Sequence, residues 1–224
     1  MPNRTIDAGS MPVYLLDEGA GPPVLFLHGN PDSAELWRGV IDRLAGRCRC
    51  LAPDLPGFGR TPAPADFDCS LPRLAAFVEE LVQALDVEAP LDLVVHDFGG
   101  PYGLAWAVEH PDRVRRLVAI NTLFFADYRW HFWGRVWRTP VLGELSMLLM
   151  NRWLFARELR RGSPGLPRDH VRRAYALTSP AMKRMVLRLY RATDPRRFAG
   201  WEERLLELAA HRPTLVLWGE RDPY

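Results

Sequence analysis

The stretch Leu93-Val94-Val95-His96-Asp97-Phe98-Gly99-Gly100 places an acid at the apex of a sharp turn, between a β-branched strand and a helix led by two glycines. A carboxylate with a reference pKa of about 3.9 is an anion at neutral pH, so Asp97 could attack carbon without help from a base and form an ester on the protein. A serine at the apex of such a strand-turn-helix would first have to lose a proton. The same aspartate could instead cap the helix that begins near Gly99, a common use of this residue. Upstream, Val24-Leu25-Phe26-Leu27-His28-Gly29-Asn30-Pro31 is an apolar strand running into a His-Gly turn. A loop leaving a strand in this way can aim a backbone N–H at the space above the apex and hold a developing oxyanion.

The elements that must position these residues follow from hydropathy patterning. Strands are expected at Val13 to Leu16, Pro23 to Leu27, Arg49 to Ala52, Leu91 to Val95, Val114 to Ile120 and Thr214 to Trp218. Helices are expected at Ala34 to Leu44, Leu71 to Leu85 with Ser70 as cap, Gly99 to Glu109 and Glu202 to Ala210. Alternating strands and helices imply an α/β fold with a mainly parallel sheet flanked by helices on both faces. The alternation breaks between Leu123 and about Arg197, a helical excursion rich in aromatics and arginine. Within it Trp130, Trp133 and Trp137 recur at spacings of three and four, which puts them along one helical face. They could pack onto the sheet or line a pocket beneath the excursion.

In order and spacing these motifs, with Leu51-Ala52-Pro53-Asp54-Leu55-Pro56-Gly57-Phe58-Gly59 between them, resemble the α/β-hydrolase superfamily. An aspartate at the apex, with His28-Gly29-Asn30-Pro31 followed by Trp37, resembles the Asp-nucleophile branch, haloalkane dehalogenases most and epoxide hydrolases next. The resemblance implies a hydrolase core at 1–122 and 201–224 and an inserted helical cap at 123–200 that roofs the site. It implies a small-molecule substrate, no cofactor and no metal, with Asp97 as nucleophile and Asn30 aiming an amide N–H at a leaving halide. Phe98 stands where dehalogenases usually carry a second halide donor, tryptophan. Its backbone N–H can join the oxyanion hole, but its side chain has no N–H, and losing one charge-assisted hydrogen bond costs roughly 1.5 to 3 kcal/mol in the transition state. Trp133 and Trp137 become candidate pocket walls. Tyr190 resembles the second cap tyrosine of epoxide hydrolases, which donates to the opening epoxide oxygen, and could equally be an amphipathic surface residue.

The segment Leu217-Trp218-Gly219-Glu220-Arg221-Asp222-Pro223 resembles the strand that ends in the family's triad acid, with Asp222 at the matching position. An ordinary Asp-Pro turn is the alternative. Asn121 sits where some dehalogenases carry the acid. The catalytic histidine is expected beyond Tyr224, so the resemblance implies a truncated chain whose last strand and helix are missing. None of His28, His96, His110, His131, His170 and His211 fills that role by motif, and His131, His170 and His211 read as surface or packing residues. Such a chain could be alkylated once without turning over. A non-catalytic binding protein on the same fold remains open.

Composition fits one globular unit: 224 residues, 48% hydrophobic and 25% charged, with a net charge of +2. Basic residues are scattered among acids, which argues against a nucleic-acid face. Cys48, Cys50 and Cys69 lack metal spacing, and no cleavable leader precedes them, pointing to a reducing cytoplasm. No apolar stretch reaches membrane-spanning length. The sequence sets no oligomeric state.

Overall fold

The computed structural model describes residues 3–224. They form one seven-stranded sheet in the order β1-β2-β4-β3-β5-β6-β7, where β1 is Asn3–Ala8, β2 Met11–Glu18, β3 Pro23–Leu27, β4 Arg49–Pro53, β5 Leu91–Asp97, β6 Val114–Thr122 and β7 Thr214–Leu217. The pairs β1·β2 and β2·β4 are antiparallel, and the remaining four pairs are parallel. β1 was not anticipated. Its polar residues Asn3, Arg4, Thr5 and Asp7 are all exposed, as suits an edge strand, and such strands carry a weak hydrophobic signal.

β3 and β5 sit at the centre and place apolar residues on both faces because helices cover both, with Asp92 and His96 the polar residues on one face of β5. On one side pack α2 (Leu71–Ala84) and α3 (Gly99–Glu109), with Phe77 and Tyr102 edge to face at 5.9 Å. α2 buries Leu74, Phe77, Val78 and Leu81, a 3.6-residue stripe that drives its docking. Ser70 does not cap it: its hydroxyl turns back to the Asp68 carboxylate at 2.6 Å. On the other side a 3-10 turn over Ala34–Trp37 leads into α1 (Arg38–Leu44), so the single expected helix is split.

The chain passes from β3 outward to β4, then crosses to β5 on the opposite flank. The strand order therefore switches at β3 and β5, and ligands bind at the carboxyl ends of parallel strands at such a switch. Asp97 ends β5, Asn30 follows β3, Asn121 lies at the end of β6 and Asp222 follows β7. Five helices come between β6 and the next core helix: α4 (Phe132–Arg138), α5 (Leu142–Leu149), α6 (Arg152–Gly162), α7 (Arg168–Ala176) and α8 (Pro180–Ala192). Then α9 (Trp201–His211) returns the chain to the sheet. α4 begins after Trp130, so the three tryptophans do not share a helix. Trp133 and Trp137 stack at 6.2 Å, while Trp130 packs from the preceding loop onto Phe98. Among the described residues no helix is long and apolar enough to cross a membrane.

Candidate active site

Asp97 adopts φ +49°, a left-handed conformation that costs energy for any side chain but least for Asp and Asn. Two features make that turn possible. A Cβ on Gly99 would strike the carbonyl oxygens of Leu27 and His28, and one on Gly29 would strike the Asp97 carboxylate. Glycine at both places lets the apex of β5 sit directly against the loop after β3. Thr122 ties the arrangement down by donating its hydroxyl to the Asp97 carbonyl at 2.5 Å.

The Asp97 carboxylate does not cap α3, which has Phe98 at its N-cap and no side-chain cap. Its Oδ1 instead accepts the Asn30 backbone N–H at 2.7 Å, and the Phe98 backbone N–H faces the same carboxylate and favours its charged form. Protein encloses Asp97 in depth although it opens partly onto a cavity. That burial raises its pKa above the ordinary carboxylate value, and nearby Asp222 adds to the rise, against the lowering by His96 and the two N–H groups. The simple expectation of an aspartate at its reference pKa is corrected in that direction. The group remains an acceptor that two donors hold in one orientation.

Both loops at the site are braced by buried polar groups. The His28 ring accepts the Leu55 N–H at Nε2 (2.9 Å), so its hydrogen is on Nδ1 and is donated to the Gly29 carbonyl at 2.9 Å. Burial lowers the pKa of His28 and keeps it neutral. Asp54, fully buried, accepts the N–H groups of Ala34 and Arg60 at 2.7 Å each. These contacts account for the His-Gly turn and for the Asp54 to Arg60 loop as scaffolding rather than chemistry.

Asn30 projects its amide toward α8, where Nδ2 donates to the Tyr190 hydroxyl at 3.4 Å. Tyr190 is buried and its ring is enclosed by Phe98, Trp130 and Trp137, at centroid distances of 4.7, 5.0 and 4.8 Å. Burial raises its pKa well above the usual phenol value, so it keeps its proton. Phe98 is 1% exposed and does not reach the cavity wall; its role there is through the backbone N–H alone. The alternative of Tyr190 as a surface residue is excluded by its burial.

Asp222 stands beside Asn121, whose side-chain amide donates to Asp222 Oδ2 and whose Oδ1 accepts the Gly219 N–H at 3.3 Å. Asn121 too is in the left-handed region, at φ +38°. The turn reading of Asp222 is also satisfied, since its Oδ1 accepts the Tyr224 N–H at 2.9 Å. Among the described residues no cluster of three or more His, Cys, Asp or Glu could hold a metal.

A cavity of about 650 Å³ joins these groups; Asn30, Asp97, Asn121, Asp222, Trp137 and Tyr190 all line it, as does Trp133. The sequence reading missed one member. His131, expected at the surface or in packing, lies on the cavity wall with Nε2 3.5 Å from the Tyr190 hydroxyl. Its Nδ1 accepts the Gly134 N–H at 3.2 Å as the cap of α4, which leaves the hydrogen on Nε2. Burial lowers its pKa to about 4, against the raising influence of Asp222. The Tyr190 oxygen thus accepts from both Asn30 and His131, and its own hydrogen is unspent. His170, expected at the surface or in packing, bonds Asp32 at 2.7 Å. His96, expected to point away from the nucleophile, packs edge-on against Trp37 at 6.5 Å and also reaches the cavity wall beside Asp97.

Comparison with known proteins agrees with this architecture. The alpha/beta hydrolase fold family model matches residues 22–224. Haloalkane dehalogenase 2 of Mycobacterium tuberculosis is 33% identical over 231 residues, covering 98% of this chain and 78% of that protein. A cis-3-alkyl-4-alkyloxetan-2-one decarboxylase of Xanthomonas campestris is 34% identical over 230 residues, covering 92% of this chain and 75% of the relative. Among solved structures, the haloalkane dehalogenase DatA of Agrobacterium tumefaciens superposes with a TM-score of 0.80 at 27% identity, over 96% of this chain and 77% of that one. Sequence and fold together place the chain in the α/β-hydrolase family of enzymes, as a relative of the haloalkane dehalogenases.

Proposed function

We propose that Asp97 attacks the halogen-bearing carbon of a haloalkane and forms an alkyl-aspartate ester, with the helical segment 123–200 acting as a cap over the reaction. The observation that carries this reading is the single cavity wall on which a two-fold hydrogen-bonded Asp97, the Asn30 amide and the Tyr190 hydroxyl converge. As the Asp97 oxygen bonds to carbon and the carbon–halogen bond breaks, the departing halide accepts an N–H from Asn30 and the unspent O–H of Tyr190. Tyr190 in this way supplies the donor that Phe98 lacks. The N–H groups of Asn30 and Phe98 then face the ester oxygen, ready for an oxyanion.

Hydrolysis of the ester needs a base, oriented by Asp222. His131 does not serve, since both its ring nitrogens are committed and its low pKa makes it a poor base. The 224-residue chain is therefore expected to accumulate the ester.

An oxygen leaving group is the second reading, favoured by the free Tyr190 hydrogen, which suits a strained ring oxygen such as that of an epoxide. Intact-mass measurement after incubation with a bromoalkane or an epoxide separates the two: the first adds an alkyl group in place of a proton, the second adds the whole molecule. No mass gain on Asp97 from either reagent would sink both. Tyr190→Phe is expected to slow labelling by about one to two decades, the loss of one charge-assisted hydrogen bond.

A further inference from the structure

The cavity continues well past the groups used above, along one face of α8. Tyr190, Val186 and Met182 are spaced by four residues and all line it, with Lys183 beside Met182. At a rise of about 1.5 Å per residue, the eight residues from Tyr190 to Met182 carry this wall about 12 Å away from the reacting groups. Facing it, Met147 of α5, Met150 of the connection and Leu154 and Phe155 of α6 form an apolar stretch, with the Glu158–Arg161 pair further along α6. A slot of that shape holds an extended alkyl chain of roughly ten carbons.

The far end of the slot is charged. Lys183 is the only lysine in the chain, and it lines the cavity there. Its Nζ donates to the carbonyls of Met147 (2.7 Å) and Met150 (3.4 Å), at the C-terminal end of α5. Those two bonds leave one N–H of three without a protein acceptor. Among the described residues no carboxylate forms an ion pair with Lys183, whereas Arg161, also on the cavity wall, is paired with Glu158 at 3.7 Å. The hydroxyls of Ser146 and Thr178 at the same end spend their hydrogens on the carbonyls of Gly143 and Ala174. A cation with one free donor at the end of an apolar slot matches a monoanion; a phosphate ester would bring up to two charges against one.

We propose that the cavity takes an alkyl electrophile whose chain ends in a carboxylate, with the reacting carbon at Asp97, the chain along Val186 and Met182, and the carboxylate on Lys183. The chemistry rests on the ester-forming role of Asp97; the binding does not. Calorimetric titration of the 224-residue chain with dodecanoate, dodecanol and butanoate tests the binding directly. Dodecanoate is expected to bind at least ten-fold more tightly than either of the others. Lys183→Gln keeps a donor for the α5 carbonyls without the charge and should erase the preference for dodecanoate over dodecanol. Lys183→Arg should retain it. Equal affinity for dodecanoate and dodecanol, no binding of either, or an unchanged preference in Lys183→Gln at wild-type melting temperature would overturn the assignment. Selective dodecanoate binding in a chain whose Asp97 gains no mass from haloalkanes would support the subsite and remove only the ester chemistry.

Discussion

Asp97 is held at a cost to the fold. Its carboxylate is enclosed near Asp222, and its pKa is raised, so protonation is easier in the folded state than in the unfolded chain. A carboxylate of this kind destabilises the protein fully above its folded pKa, and the penalty vanishes below the unfolded value of about 3.9. Asp97→Asn should therefore raise the melting temperature at neutral pH by about 2–4 °C, the change that ~1 kcal/mol produces in a chain of this size. The gain should disappear in scans at acidic pH, and the variant should take up no alkyl label. A lower melting temperature at pH 7 would show that the hydrogen bonds from Asn30 and Phe98 outweigh the burial of charge. Labelling of the wild-type chain should fall as pH drops through the raised Asp97 pKa, which a series of intact-mass rates would detect.

At the scale of elements, the loop after β3 and helix α7 are joined by one ion pair. His170 of α7 meets Asp32 at 2.7 Å, with both side chains about one-tenth exposed. Asp32 also donates its N–H to Gly29, so the pair steadies the loop that carries Asn30. The hydrogen bond to Asp32 raises the His170 pKa above 6.5, opposed by burial; Arg173 of α7 lowers it and Glu35 raises it. A raised histidine contributes stability that is full below its unfolded pKa of about 6.5 and is lost as pH climbs through the folded value. His170→Gln should cost about 1–2 kcal/mol in urea unfolding at pH 6 and progressively less toward pH 9. A cost that does not change with pH would mean that packing, not charge, holds the two elements. The sequence does not report this contact, because the partner of His170 lies 138 positions away in the chain and no local pattern marks it. Trp130 was misplaced for a related reason. Spacing alone continues a helical face through it, but the chain reaches His131 extended, because the His131 ring caps α4 there.

At the scale of the whole molecule, the second edge of β7 has no neighbour among the described residues. Leu215, Val216, Leu217 and Trp218 are all between 44% and 61% exposed, and α5 presents Leu148 at 79%. An open apolar edge recruits other strands. Light scattering on the 224-residue chain should show concentration-dependent association, and Val216→Lys should reduce it, since a charge on an edge strand blocks pairing. A monomer at every concentration in the unmodified chain would refute this.

The sequence by itself determined the order of the parallel strands' motifs, the acid at the apex of β5, the loop after β3 and the helical excursion between β6 and α9. Each of these is encoded in contiguous residues: apolar runs that must be buried on both faces, glycines where two backbones touch, and a break in strand-helix alternation. The tertiary structure alone decided which side chains share one cavity. It brought Asn30 to Tyr190 across 160 positions, set His131 beside them, turned Phe98 away from the wall and drew Lys183 to the end of the slot. These are packing outcomes between helices whose periodicity fixes a face but not its partner, and a hydrogen's direction on Tyr190 depends on every donor around it.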